Sequence, residues 1–291
     1  WVSSSDYKVD IRISNDILKQ LTESYRKIRN TARFILGNIY DFDPNKDSVP
    51  YSELEELDKW ALLKLNQLVA KIEKAYSEYE FHVMLHAIHN FCVVDMSSFY
   101  LDVTKDRMYA SKPDSKERRA GQTAMYIILD TLTRLLAPVL AFTADEIWQY
   151  LPHTDKDNAE SVMLNDWPEA KAEYEDEALD QKWDKILEVR DSVLKALEEA
   201  RNKKLIGQSL QAKVILKAGG DTLKLLKENL DILPTVFITS QVELAEGGND
   251  EVEVGVQLAD GTKCERCWIY SETVGNDHDH PTLCARCSTV V

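Results

Sequence analysis

The sequence predicts a mainly helical protein: an antiparallel helix bundle over residues 1–152, a linker over 153–180, a small α+β unit over 181–260 and a cysteine ribbon over 261–291. Three observations carry this. Apolar residues recur at helical spacing through the first 150 residues. Beyond about residue 205 the pattern breaks into short strand-like and helical runs. Finally, four of the five cysteines stand in the last 28 residues as C-x₂-C-x₁₆-C-x₂-C.

The first helix runs from Ser14 to about Tyr40. Ser14 is a good N-cap, Asp16 suits the first turn, and Ile17, Leu21, Tyr25, Ile28, Ala32, Ile35 and Ile39 mark a core face. Another face carries Lys19, Arg26, Arg29 and Arg33 at spacings of seven, three and four, with Lys27 beside them. A solvated helix face is the plain reading of such a run. An excess of positive charge nearly free of acids, within an acidic protein, favours phosphate binding, and arginine suits bidentate phosphate contacts.

Asp43 to Asp47 makes a loop, and Ser52-x-x-Glu55 reads as a capping box that opens a helix through Trp60, Leu63, Leu68 and Ile72. Helical pattern continues from about Tyr79 to Tyr100. His82, His86 and His89 lie there at spacings of four and three, but with Asp95, two turns on, as the one acid of suitable spacing they read as helix surface or satisfied core. Lys105 to Arg119 is a charged connection containing Pro113, and a helix follows to Leu136. Thr143-x-x-Glu146 reads as a second capping box, for a short helix that ends before Pro152. Long helices joined in this way pack as a bundle.

After the polar stretch containing Pro168, a helix spans about Glu177 to Lys204, with Trp183, Ile186, Val189, Val193 and Leu197 on its apolar side. Gly207 follows its end. Ala212–Leu216 reads as a strand, Asp221–Leu230 as a short helix, Val236–Ile238 as a strand and Glu251–Leu258 as an alternating strand.

The cysteine spacing is that of a four-thiolate zinc site, with Cys264, Cys267, Cys284 and Cys287 as ligands. A complete sulfur shell leaves no open position, so the single zinc is structural. Two disulfides are the competing reading. Nothing indicates an oxidising compartment, and Cys92 lies unpaired in an apolar run. Asp277-His278-Asp279-His280 reads as a solvated tip, outside the ligand set. At this size the ribbon folds only around its metal.

With 35 basic and 50 acidic residues, the net charge of −15 argues against indiscriminate polyanion binding, so any nucleic-acid contact is local. The longest apolar run, Leu135–Phe142, is far short of the roughly 20 residues that span a bilayer. A start at Trp1 without methionine reads as a piece of something larger. Phosphate loops, G-x-S-x-G, H-E-x-x-H and a paired Cys–His nucleophile are all lacking, so no catalytic centre is expected. Arg266, Trp268, Tyr270 and Arg286 on the ribbon are the equipment for stacking a base and holding its backbone. Trp268 as ribbon core is the competing reading.

Asp10-Ile-Arg-Ile-Ser14, Tyr25-Arg-Lys-Ile-Arg-Asn-Thr-Ala-Arg33, Gly37-Asn38 and Cys264-Glu-Arg-Cys267-Trp268 together resemble bacterial isoleucyl-tRNA synthetases, class I enzymes. The likeness covers essentially the whole chain: Trp1–Tyr7 is similar to the passage after the catalytic domain, and the ribbon to the family's zinc-binding C-terminus. The helical half alone also resembles the anticodon-binding bundles of valyl-, leucyl- and methionyl-tRNA synthetases. Neither the H-I-G-H-like nor the K-M-S-K-S-like signature is present, nor an editing domain. The resemblance therefore implies a non-catalytic, tRNA-binding region of an enzyme that joins isoleucine to its tRNA, with ATP and magnesium confined to the parent's missing catalytic domain. It implies isoleucine tRNA, held by the anticodon stem and loop, as partner, and the rest of the synthetase in cis. It further implies a monomer, a cytoplasmic setting and no membrane contact. Arg26, Arg29 and Arg33, with Lys19 and Lys27, would meet backbone phosphates, and Arg266 and Trp268 would lie near the anticodon loop. A protein-interaction module built from an acidic bundle and a zinc ribbon is the alternative from another class.

Overall fold

The computed structural model describes residues 1–247 and 251–291. In chain order its helices are α1 (Asn15–Asn38), α2 (Glu56–Ser77), α3 (Phe81–Asn90), the single turn α4 (Leu101–Val103), α5 (Lys105–Ala110), α6 (Lys116–Leu136), α7 (Ala141–Tyr150), α8 (Glu177–Asn202), α9 (Gly220–Glu228), α10 (Leu233–Phe237) and α11 (Ala285–Ser288). Its strands are β1 (Ala212–Ala218), β2 (Gln241–Glu246), β3 (Glu253–Leu258), β4 (Thr262–Lys263) and β5 (Tyr270–Ser271). The protein is mainly helical, as expected. The chain divides into two compact units, Trp1–Asp102 with Pro113–Glu177, and Val103–Lys112 with Ala178–Val291.

In the first unit Ser14 caps α1, its Oγ accepting from the Ile17 N–H at 3.2 Å. Burial on this helix begins only at Ile28, and Leu18 and Tyr25 remain exposed. The two expected capping boxes do not form. Pro50 starts a 3₁₀ turn over Tyr51–Glu53, which postpones α2 to Glu56. Helix α7 begins at Ala141, so Thr143 lies inside it, and its hydroxyl shares a 3.0 Å hydrogen bond with the Tyr25 phenol. Beyond α3 the expected continuous helix widens into a π-helix over Phe91–Tyr100. Phe91 and Met96, five residues apart, are both buried there.

A buried polar cluster holds the end of α1 to α6. Arg118 donates to both oxygens of Asp41, at 2.7 and 2.9 Å, and Gln122 joins Asp41 to the Asn38 carbonyl. Burial works to raise the Asp41 carboxyl, but the bonds from Arg118 and Gln122 outweigh it and hold it below the usual range.

Residues 153–177, read from sequence as linker, belong to this unit. Arg134 of α6 reaches Asp157 at 2.7 Å, the Trp148 indole donates to the Asn158 carbonyl, and Asn66 pairs twice with the Lys171 backbone. Polar composition suggested a free connection. Those same polar groups fasten the stretch as a strap.

In the second unit α8 buries Trp183, Ile186, Val189, Val193 and Leu197. Strand β1 lies between β2, which is parallel to it, and β3, which is antiparallel. Ala212, Val214, Leu216 and Ala218 alternate into the core. The expected strand at Val236–Ile238 is instead the end of α10. Pro234 suits a first helical turn and supplies no N–H to a ladder, while adjacent Val236 and Phe237 are both buried, unlike the alternation of a half-buried strand. The partner strand is β2, which follows a few residues later.

Candidate metal centre and nucleic-acid interface

In the ribbon, β4 and β5 form a two-stranded sheet whose turn carries Cys264 and Cys267, and α11 carries Cys287 with Cys284 as its N-cap. Gly261, at φ +86°, lets the chain pass the Ser271 backbone, where a Cβ would stand only 2.3 Å from a carbonyl carbon. The four sulfurs lie within 4.8 Å of one another, and Cys267 and Cys284 are 3.8 Å apart. A tetrahedral shell with Zn–S of about 2.3 Å places sulfurs about 3.8 Å apart, so the arrangement fits one zinc ion. Cys264, Cys284 and Cys287 are buried.

The Cys264 sulfur also accepts from the Cys284 backbone N–H at 3.3 Å. Burial raises its thiol, but backbone donors from Cys267, Cys284 and Arg266 bring it down to about 6. Burial pushes the thiols of Cys267 and Cys287 up, and at Cys287 the neighbouring sulfurs add to the effect. Four thiolates so close therefore need a cation among them. His278 and His280 form no part of the metal-binding group, and His82, His86 and His89 form none among the described residues.

The ribbon is fastened to α5 by two arginines. Arg286 donates to both carboxylate oxygens of Asp106, one at 2.8 Å, and Arg266 donates to the Ala110 carbonyl at 2.7 Å. The Asp106 carboxylate, ahead of opposing burial, raises the Arg286 guanidinium further above its ordinary value, so it stays charged. Arg266, expected to face RNA, thus has a structural partner. Trp268 is 54% exposed, so it is not ribbon core. Its backbone sits at φ +67°, and the Lys263 ammonium lies 4.9 Å from its ring centroid. Lys263 had no signal in the sequence, because only the β4–β5 turn brings it to the ring.

On α1 of the first unit, Lys19, Arg26, Lys27, Arg29 and Arg33 are all exposed. The stripe is less free of acids than its sequence suggested. Arg26 pairs with Glu23 one turn earlier, and Arg29 approaches Glu146 of α7 at 3.7 Å. Sequence reading also passed over two exposed aromatics on α7, Phe142 and Tyr150. A helical wheel could have found them, since Ile147 and Trp148 claim the buried side.

Residues 58–216 match the family described as the anticodon-binding domain of tRNA ligase, and residues 261–290 match the zinc finger found in FPG and IleRS. With that zinc finger covering the four cysteines, the ribbon is a structural site for one zinc ion. The chain is 55% identical over 301 residues to the isoleucine–tRNA ligase of Desulforamulus reducens. It is 53% identical over 292 residues to that of Caldicellulosiruptor saccharolyticus, and 53% over 297 to that of Carboxydothermus hydrogenoformans. Each alignment covers 100% of this chain and 32% of the relative, so the chain spans about a third of the length of the curated relatives it matches.

Proposed function

Because the chain belongs to the anticodon-binding-domain family of tRNA ligases, we propose that it grips the anticodon stem and loop of isoleucine tRNA as a non-catalytic part of an isoleucine–tRNA ligase. The observation that carries this is Trp268, an exposed indole with a lysine over its ring, on a ribbon that zinc folds. A rigid aromatic beside a cation stacks an unpaired base and meets its phosphate. Cys264, Cys267, Cys284 and Cys287 hold the zinc, whose filled sulfur shell supplies rigidity and leaves no position for a reactive water. Lys19, Arg26, Lys27, Arg29 and Arg33 neutralise backbone phosphates. The exposed pairs Arg26–Glu23 and Arg29–Glu146 hold too little energy to prevent exchange of partners.

In this reading the whole enzyme joins isoleucine to its tRNA using ATP and magnesium bound elsewhere, in cis to this chain. The chain acts as a monomer in the cytoplasm, with residues 1–152 as the anticodon-binding part and 261–291 as the terminal contact. Filter binding at several salt concentrations tests it. Reversing Arg26, Arg29 and Arg33 to Glu weakens binding of isoleucine tRNA and flattens the salt slope by about one unit per lost contact. Unchanged affinity removes the α1 assignment. A pull-down that recovers a protein partner and no tRNA favours a protein-docking role instead.

A further inference from the structure

The strap over residues 153–177 closes a cavity of about 310 Å³ within the first unit, a volume that small-molecule sites begin to reach. Leu65 and Val69 of α2 and Ile127 of α6 give it an apolar floor, and Trp167 and Tyr174 of the strap add aromatic walls. Tyr126 and Thr131 of α6 also line it, only 8% and 9% exposed, and neither hydroxyl has a hydrogen bond among the described residues. Burial, then the fields of Asp130 and Asp157, raise the Tyr126 phenol, which places its hydroxyl on the acidic side of the cavity. Four carboxylates and two cations line the space, leaving two negative charges. Arg134 is already divided between Asp130 and Asp157, at 3.0 and 2.7 Å. Burial, ahead of the Arg134 bonds, raises the Asp130 carboxyl, so one guanidinium undercompensates the pair. Lys171 turns its ammonium to the Tyr174 phenol at 3.5 Å, and Asp166 and Glu169 at the rim have no ion pair among the described residues.

We infer that this cavity binds a short aliphatic diamine, one ammonium donating to the Tyr126 and Thr131 hydroxyls beside Asp130 and the other to Asp166 or Glu169 at the rim. The methylenes between them lie over Leu65 and Val69, and Trp167 and Tyr174 offer ring faces to the cationic ends. This goes beyond the tRNA-binding reading and does not depend on it. Water would satisfy the two hydroxyls but would leave the negative charge uncompensated. A single metal ion does not suit the site, because it needs oxygens that converge on one point. Among the described residues only the four cysteines converge in that way, whereas these acids are spread along the cavity. Two positive charges separated by an apolar chain match acids so dispersed around an apolar floor.

The test is isothermal titration calorimetry of the full zinc-loaded chain with 1,4-diaminobutane, in about 150 mM salt to screen diffuse attraction to the acidic surface. Butylamine and magnesium chloride serve as comparison probes. The expected result is saturable one-to-one binding of the diamine, tighter than that of butylamine and not displaced by an equal concentration of magnesium. Tyr126→Phe removes a hydroxyl that has no partner in the protein, so the melting temperature stays unchanged. That variant should bind the diamine about 10- to 150-fold more weakly, as for a lost hydrogen bond to a charged group. Glu169→Gln, on the surface, should weaken binding about 2- to 5-fold. Should Tyr126→Phe melt early, Glu169→Gln carries the decision alone. The inference is overturned if no saturable heat appears, which leaves water alone in the cavity. It is equally overturned if butylamine or magnesium binds as tightly as the diamine, or if either folded variant keeps full affinity, since the heat then reports counterions gathered by an acidic protein.

Discussion

Replacing Trp268 with alanine is the sharpest perturbation of the ribbon. The indole is 54% exposed, so slightly more than half of its surface awaits a partner. A large aromatic buries about 150–250 Å², which leaves roughly 80–135 Å² to be covered on binding, worth about 2–3 kcal/mol at about 25 cal/mol per Å². That agrees with the upper part of the about 1–3 kcal/mol found for base stacking on an aromatic, and corresponds to a loss of about 30- to 150-fold in affinity. Alanine and glycine variants can be compared because Trp268 occupies the left-handed region at φ +67°. A non-glycine residue there costs about 1–2 kcal/mol, so Trp268→Gly relaxes the turn while removing the same ring. Filter binding to isoleucine tRNA should show both variants equally weakened, and zinc content should be full in both. If both bind as tightly as the unaltered chain with zinc retained, stacking on Trp268 is refuted.

Other outcomes follow from the polar clusters and the metal. Cys284→Ser breaks the four-sulfur shell, so metal analysis after dialysis against a mild chelator should show zinc lost and the ribbon unfolded; a full complement of tightly held zinc would contradict the ligand set. Asp41→Asn leaves Arg118 buried without its carboxylate, and urea unfolding at neutral pH should show about 3–5 kcal/mol less stability for the helical unit. Because the folded-state pKa of Asp41 is depressed, its contribution is complete above the unfolded value of about 3.9 and fades as pH falls through the lower folded value. The gap between native and variant stability should therefore narrow below about pH 4, and a gap constant down to pH 2 would disprove the assignment. Asp106→Ala should speed amide hydrogen exchange over residues 105–110 with zinc retained, whereas unchanged protection would show that Arg286 contributes nothing to holding α5.

Much of this architecture was legible because its signals are local. Ser14 announces α1, the apolar spacing of Trp183 to Leu197 announces α8, and two C-x₂-C turns announce the zinc site, each within a few residues of chain. What escaped depends on partners distant in sequence. Thr143 looked like a cap because its hydroxyl could serve the backbone, but Tyr25, 118 residues away, takes it instead. Polar residues 153–177 looked like a linker because only the folded unit supplies Arg134, Asn66 and Asp145 to engage them. Val236–Ile238 carries strand-forming side chains, yet Pro234 and the adjacent burial of Val236 and Phe237 outweigh that propensity. The exposed residues of α1 were found by periodicity alone, whereas the acids that temper them come partly from another helix.

The clamp between Asp106 and Arg286 joins positions 180 residues apart. Ribosomes add about 5–20 residues per second, so α5 emerges roughly 10–35 s before the arginine that secures it has been made. The chain must also complete a stretch of the helical unit, Pro113–Glu177, in between. For that interval the segment Val103–Lys112 lacks the ribbon it is fastened to, and zinc capture by the last cysteines completes that partner.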